Sequence, residues 1–80
     1  MDTKKRSEKT FSSRYKLPER LEQLREKFGI SRKKLGEKLG LAQMTVYRWE
    51  SGEQAPNVLY LIMLCEFFGC TADYLIGLED

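Results

Sequence analysis

Residues 32–51 read RKKLGEKLGLAQMTVYRWES, and this stretch decides the fold. Two helix-forming runs are separated by about three residues around Gly40, Leu41 and Ala42. Helices joined this tightly pack closely only if particular positions are small or apolar. Gly36 falls mid-helix, where glycine costs roughly 1 kcal/mol relative to alanine. A small residue there lets the following helix approach. Gly40 supplies the positive φ of a sharp turn. Leu35, Leu39, Leu41, Val46 and Trp49 then provide a shared core.

The pattern extends outward in both directions. Pro18 suits a first helical turn, and Glu19 and Glu22 suit the positive end of its dipole. Leu17, Leu21, Leu24 and Phe28 recur at helical spacing before Gly29 stops the run. Ser31 is a good N-cap for the second helix. The third runs over about residues 43–50 and ends at Ser51-Gly52. Asn57 caps a fourth helix over Val58–Phe68, closed by Gly69. Thr71 opens a last short helix in which Ala72, Leu75 and Ile76 can pack inward, and Gly77 ends it. No stretch alternates with period two for long enough to suggest a strand. The expected fold is all-α, with five short helices over residues 17–80. Residues 1–16 have no period and read as a flexible basic arm.

Composition narrows the possible functions. The chain has 80 residues, 41% hydrophobic and 32% charged, which suits one small globular domain. No apolar run approaches the roughly 20 residues of a membrane span, and the N-terminus lacks a signal-peptide core. A cytoplasmic protein is therefore expected. There is no histidine, which removes the commonest general base, and no cluster of carboxylates or lysines resembles a reaction site. An enzyme is not expected, nor a cofactor or small-molecule ligand. Cys65 and Cys70 read as reduced thiols serving as small core residues, because two cysteines are too few for a metal site. The net charge of +2 conceals a strong polarity. Residues 1–16 carry +4 and residues 17–48 another +4, whereas residues 49–80 carry −6. One cationic surface and one anionic surface should result, the first suited to phosphates.

The joint spacing resembles the phage-repressor and Cro type helix-turn-helix family, also called the xenobiotic response element (XRE) family. The resemblance rests on Gly36, Gly40 and the segment Val46-Tyr47-Arg48-Trp49-Glu50-Ser51-Gly52. It reaches back to Leu24-Arg25 and forward to Pro56, Leu61, Leu64, Gly69 and Asp73-Tyr74-Leu75, covering about residues 18–77 with the motif itself at about 31–52. It implies a lambda-repressor-like DNA-binding domain whose second motif helix enters the major groove of double-stranded DNA.

Helical geometry independently divides that helix. At about 100° per residue, Ala42, Val46 and Trp49 share one side. Met44, Tyr47, Arg48 and Ser51 fall opposite, with Gln43 on a flank. Arg48 can bind guanine O6 and N7, Gln43 adenine N6 and N7, and Met44 a thymine methyl. The resemblance likewise assigns base reading to Gln43, Met44, Tyr47 and Arg48. It places Arg32 where a side chain supports the DNA backbone or a neighbouring base contact; Lys33 and Thr45 can add phosphate contacts, although Lys33 reads equally well as a solvated lysine. It also implies a partly buried ion pair between Arg25 and Glu50.

Three departures from the family pattern stand out. Arg32 occupies a position where glutamine is frequent. Ala42 replaces a capping hydroxyl residue. The loop over residues 51–55 carries Glu53 and no basic residue, which shifts the expected phosphate grip towards Lys4, Lys5, Arg6 and Lys9 of the arm.

The fourth helix is more apolar than one core requires. Val58, Leu61, Leu64, Cys65 and Phe68 make a sufficient inner stripe. Leu59, Tyr60, Met63 and Phe67 form a second stripe, expected to make a homodimer contact together with the C-terminal helix unless Phe11 and Tyr15 fold back over it. The expected function is transcriptional regulation, as a repressor, by occupying an operator as a homodimer. The alternative is a protein-interaction module on the same scaffold, such as an antitoxin or bridging factor. The sequence leaves open the operator and whether the chain continues in a longer protein.

Overall fold

A computed structural model describes residues 14–80 of the chain. Five helices follow in order: α1 (Leu17–Lys27), α2 (Arg32–Leu39), α3 (Gln43–Ser51), α4 (Val58–Phe68) and α5 (Ala72–Ile76). No strand occurs among the described residues.

Local chemistry explains most boundaries. Ser31 Oγ accepts from the Lys34 amide at 3.0 Å, Asn57 Oδ1 from Tyr60 at 2.9 Å and Thr71 Oγ1 from Tyr74 at 3.0 Å. Each satisfies an otherwise unpaired N–H at a helix start. Ala42 has no side chain able to do this, and α3 begins without a side-chain cap.

The α2–α3 turn is built by two glycines. Gly40 has φ 75°, a left-handed conformation that costs other residues free energy. Gly36 is buried, and its carbonyl accepts from the Leu41 amide at 2.7 Å. A Cβ at Gly36 would lie 2.7 Å from the Leu41 carbonyl oxygen, so no larger side chain fits without moving the turn.

The core gathers Leu17 and Leu21 of α1, Leu35 of α2, Val46 and Trp49 of α3, Leu64 and Phe68 of α4 and Leu75 of α5. Each full burial of such a side chain contributes about 1.5–3 kcal/mol. Arg20 fastens the two ends of the domain together. Its guanidinium donates to the carbonyl oxygens of Tyr74 and Glu79 and lies 4.5 Å from the Tyr74 ring centroid.

Several expected packing positions are corrected. Phe28 is exposed rather than buried, capping α1 with its ring edge-on to Phe68 at 5.1 Å. Ala42 is exposed because it belongs to the turn before α3 begins. Val58, the first residue of α4, is the most exposed large apolar residue described, at 71%. Of the expected second stripe Leu59 is exposed, but Tyr60, Met63 and Phe67 are half-buried. Tyr60 packs on Trp49 at 5.8 Å, Phe67 meets Phe68 edge-on at 5.0 Å, and Met63 lies against the core. The outward apolar face is instead Val58, Leu59 and Ile62, one helical turn apart.

The segment expected to be the arm reaches residue 16, but its last residues are anchored. The Lys16 amide donates to the Ile76 carbonyl at 2.9 Å, and Tyr15 lines a shallow recess with Arg14, Ile76 and Leu78. The arm residues Lys4, Lys5, Arg6 and Lys9, together with Phe11, lie outside the described residues.

The two cysteines pack against the core, half-buried and with no disulfide between them. Burial pushes the Cys65 thiol up to about 11 and raises that of Cys70 as well. Both are therefore protonated at neutral pH, which makes them poor nucleophiles.

Candidate nucleic-acid interface

α3 carries the candidate interface, and its two sides have separate jobs. Val46 is fully buried and Trp49 nearly so. They fix the helix against α1, α2 and α4. On the opposite side Met44 is 53% exposed and Tyr47 46% exposed, with Gln43 beside them. Arg32, Gln43, Met44 and Tyr47 line one open depression of about 510 Å³. Four of its features suit base edges: an amide, a thioether, a phenol and a planar cation.

Glu50 holds this surface in place. Its side chain is only 3% exposed, yet two arginines reach it. Arg25 Nε donates to Oε2 at 2.7 Å and Arg25 Nη2 to Oε1 at 3.3 Å. Arg25 Nη1 also donates to the Ile30 carbonyl at 3.0 Å. The hydrogen bond to Glu50 raises the Arg25 pKa above its ordinary value, against the opposing effect of burial. This fork joins α1 to α3 and binds the turn between α1 and α2.

Arg32 is drawn to the same carboxylate. It donates from Nε to Glu50 Oε1 at 2.8 Å, and its side chain stays 35% exposed beside α3. Its guanidinium carbon lies 5.5 Å from the Tyr47 ring centroid. The reason is electrostatic: a carboxylate this buried is strongly attractive to any nearby cation, and Oε1 still has a lone pair to offer. Sequence reasoning foresaw one partner for Glu50 and missed the second. The available signal was that Tyr47 and Glu50 stand three residues apart, on adjoining parts of one helix surface.

The end of α3 is occupied by its own contacts. Ser51 Oγ donates to the Arg48 carbonyl at 3.2 Å and accepts from the Glu53 amide at 3.3 Å, so it finishes the helix. Arg48 Nε lies 3.8 Å from Glu53 Oε2, an exposed and weak ion pair. Glu53 thus sits beside a residue expected to read bases. Thr45 is half-buried next to the exposed face, whereas Lys33 is exposed on α2.

Comparison with known proteins agrees with this geometry. Residues 21–75 match the family model described as helix-turn-helix. An uncharacterised HTH-type transcriptional regulator of Bacillus subtilis (strain 168), YgzD, is 33% identical over 61 residues, covering 76% of this chain and 92% of that protein. The HTH-type transcriptional regulator AnsR of the same organism is 38% identical over 61 residues, but the chain spans only 53% of its length. Among solved structures, the P22 c2 repressor in complex with a synthetic operator superposes with a TM-score of 0.74 at 30% identity, covering 79% of this chain and 96% of that one. The five-helix architecture, the glycine-built turn and these matches together establish that the chain belongs to the helix-turn-helix family.

Proposed function

We propose that the chain binds double-stranded DNA sequence-specifically and regulates transcription as a repressor, by occupying an operator in the cytoplasm. The observation that carries this reading is the outer face of α3. There Gln43, Met44 and Tyr47 stand exposed, with Arg48 half-buried beside them, on a helix whose other side is locked by Val46, Trp49 and Glu50. A rigid helix bearing adaptable donors and apolar tips is what major-groove readout requires. The likeness to a repressor crystallised on a synthetic operator supports the same conclusion. Occupancy alone performs the function, with no catalytic step.

Gln43, Met44, Tyr47 and Arg48 read base edges. Lys33 and Thr45 grip the phosphate backbone, and Lys4, Lys5, Arg6 and Lys9 of the arm add contacts along the groove. The chain acts as a homodimer whose two copies meet through the apolar face of Val58, Leu59 and Ile62. A two-fold dimer sets its reading helices roughly 34 Å apart, in successive major grooves. Selection from a random duplex library tests the reading. An enriched two-fold-symmetric site, bound less tightly as salt rises, is expected. Recovery of no enriched sequence, with a protein partner captured regardless of salt, would replace this reading by that of a protein-interaction module.

A further inference from the structure

Within that DNA-binding reading, we propose that Arg32 is a positioning residue for Tyr47, so that base preference at the step Tyr47 contacts is set from α2 as well as from α3.

The argument starts from the single carboxylate of Glu50. Arg25 is fully committed by its fork to Glu50 and its bond to the Ile30 carbonyl. Arg32 is fastened only along its Nε edge, at 2.8 Å. Its side chain remains 35% exposed, and it shares the open depression with Gln43, Met44 and Tyr47. The guanidinium faces the Tyr47 ring at 5.5 Å, within the range in which a cation is attracted to an aromatic face.

Tyr47 and Glu50 lie on the same helix, and Arg32 reaches them both from another. The chain Glu50–Arg32–Tyr47 therefore closes a ring between α2 and α3. A tyrosine at the surface of an isolated helix would choose freely among its rotamers. Here one ring face is held by a guanidinium that is itself held by a buried anion. Holding the ring before DNA arrives reduces the ordering cost of binding and narrows which base the phenol can meet. Arginine suits this role and lysine does not. Only arginine has an Nε–H for Glu50 together with a flat cation for the ring.

The test compares the full chain with Arg32→Lys, Arg32→Ala and Tyr47→Ala in duplex selection, after thermal melts confirm folding. Tyr47→Ala identifies the base position that Tyr47 reads. Arg32→Ala should flatten preference at that position by about fivefold, and combining it with Tyr47→Ala should add nothing there. Arg32→Lys should lose the same preference while keeping the salt dependence of the unaltered chain. In the DNA-free protein, the Tyr47 ring resonances should shift in both Arg32 variants. A uniform loss across all duplexes, with the Tyr47 position still preferred and the salt slope lower by about one, would assign Arg32 to a phosphate and overturn the proposal. Unmoved Tyr47 resonances would overturn it too, whatever the DNA result. Failure of the unaltered chain to select any duplex would instead sink the DNA-binding reading itself.

Discussion

The outer faces of α3 and α4 both expose large apolar side chains, yet their chemistry differs. On α3, Met44 and Tyr47 alternate with Gln43 and Arg48, and an ion cluster centred on the buried Glu50 carboxylate lies beneath them. On α4, Val58, Leu59 and Ile62 stand together with no donor or acceptor between them, and beneath them is ordinary core. Polar groups interleaved with apolar ones can satisfy a base edge, where every unpaired donor or acceptor is costly. A purely apolar face gains by excluding water and suits another apolar surface. Exposure alone therefore says little about function; the chemistry between the exposed groups says which kind of partner is possible.

The sharpest way to break the contrast is to remove the ion cluster from below α3. Glu50→Ala strands two cationic side chains and should lower stability by about 3–5 kcal/mol, measured by urea unfolding. If Glu50→Ala unfolds no more easily than the unaltered chain, the frame under the reading face is not what Glu50 supplies.

A change on the α3 face itself should act differently. Arg48→Ala should leave urea unfolding nearly unchanged and relax discrimination at one base position of each half-site, by about 1–3 kcal/mol. The neighbouring Glu53 sharpens this. Glu53→Gln frees Arg48 from a weak surface pair, so duplex affinity should rise, by no more than about 1 kcal/mol. Equilibrium binding at fixed salt measures both.

On α4, Leu59→Lys should leave the monomer folded, because Leu59 is 62% exposed. It should weaken binding to a two-half-site operator about tenfold, or ~1.4 kcal/mol, and leave single half-sites unaffected. Sedimentation and binding to the two duplex types measure this together. Equal loss on both types would move the α4 face into the DNA contact.

The smallest effect concerns Cys65, which takes no part in either face. Its folded thiol is raised to about 11 by burial. Below the ordinary thiol pKa both folded and unfolded thiols are neutral, so its contribution to stability is constant there. As pH rises past the ordinary value towards 11, the unfolded thiol ionises first and stability falls. Alkylation at pH near 8 should accordingly be much slower in the native chain than in denaturant.

Much of this was legible in the residues. Ser31, Asn57 and Thr71 announce helix starts because their side chains bond amides only two or three residues away. Gly36 and Gly40 announce the tight turn because sterics there are local to two adjoining helices. Val46 and Trp49 declare the inner side of α3 by their spacing. α4 defeated the same logic. Apolar on nearly every side, it has no period to mark which face turns inward, and the assignment of Val58, Tyr60, Met63 and Phe67 failed for that reason. Trp49 from α3, Phe28 from the end of α1 and the helix α5 pack against it, and nothing in the spacing of α4 says which of its faces they take.

The sequence by itself determined the number of helices, their ends, the turn between α2 and α3, and which side of α3 turns inward, because short-range hydrogen bonds and helical period decide these. Only the tertiary structure decided that Glu50 serves two arginines, that Arg32 turns inward towards Tyr47, and that Val58, Leu59 and Ile62 form the face left open on α4. Each of these depends on which groups from distant parts of the chain compete for the same buried oxygen or the same patch of core, and that competition is settled only once the helices have packed.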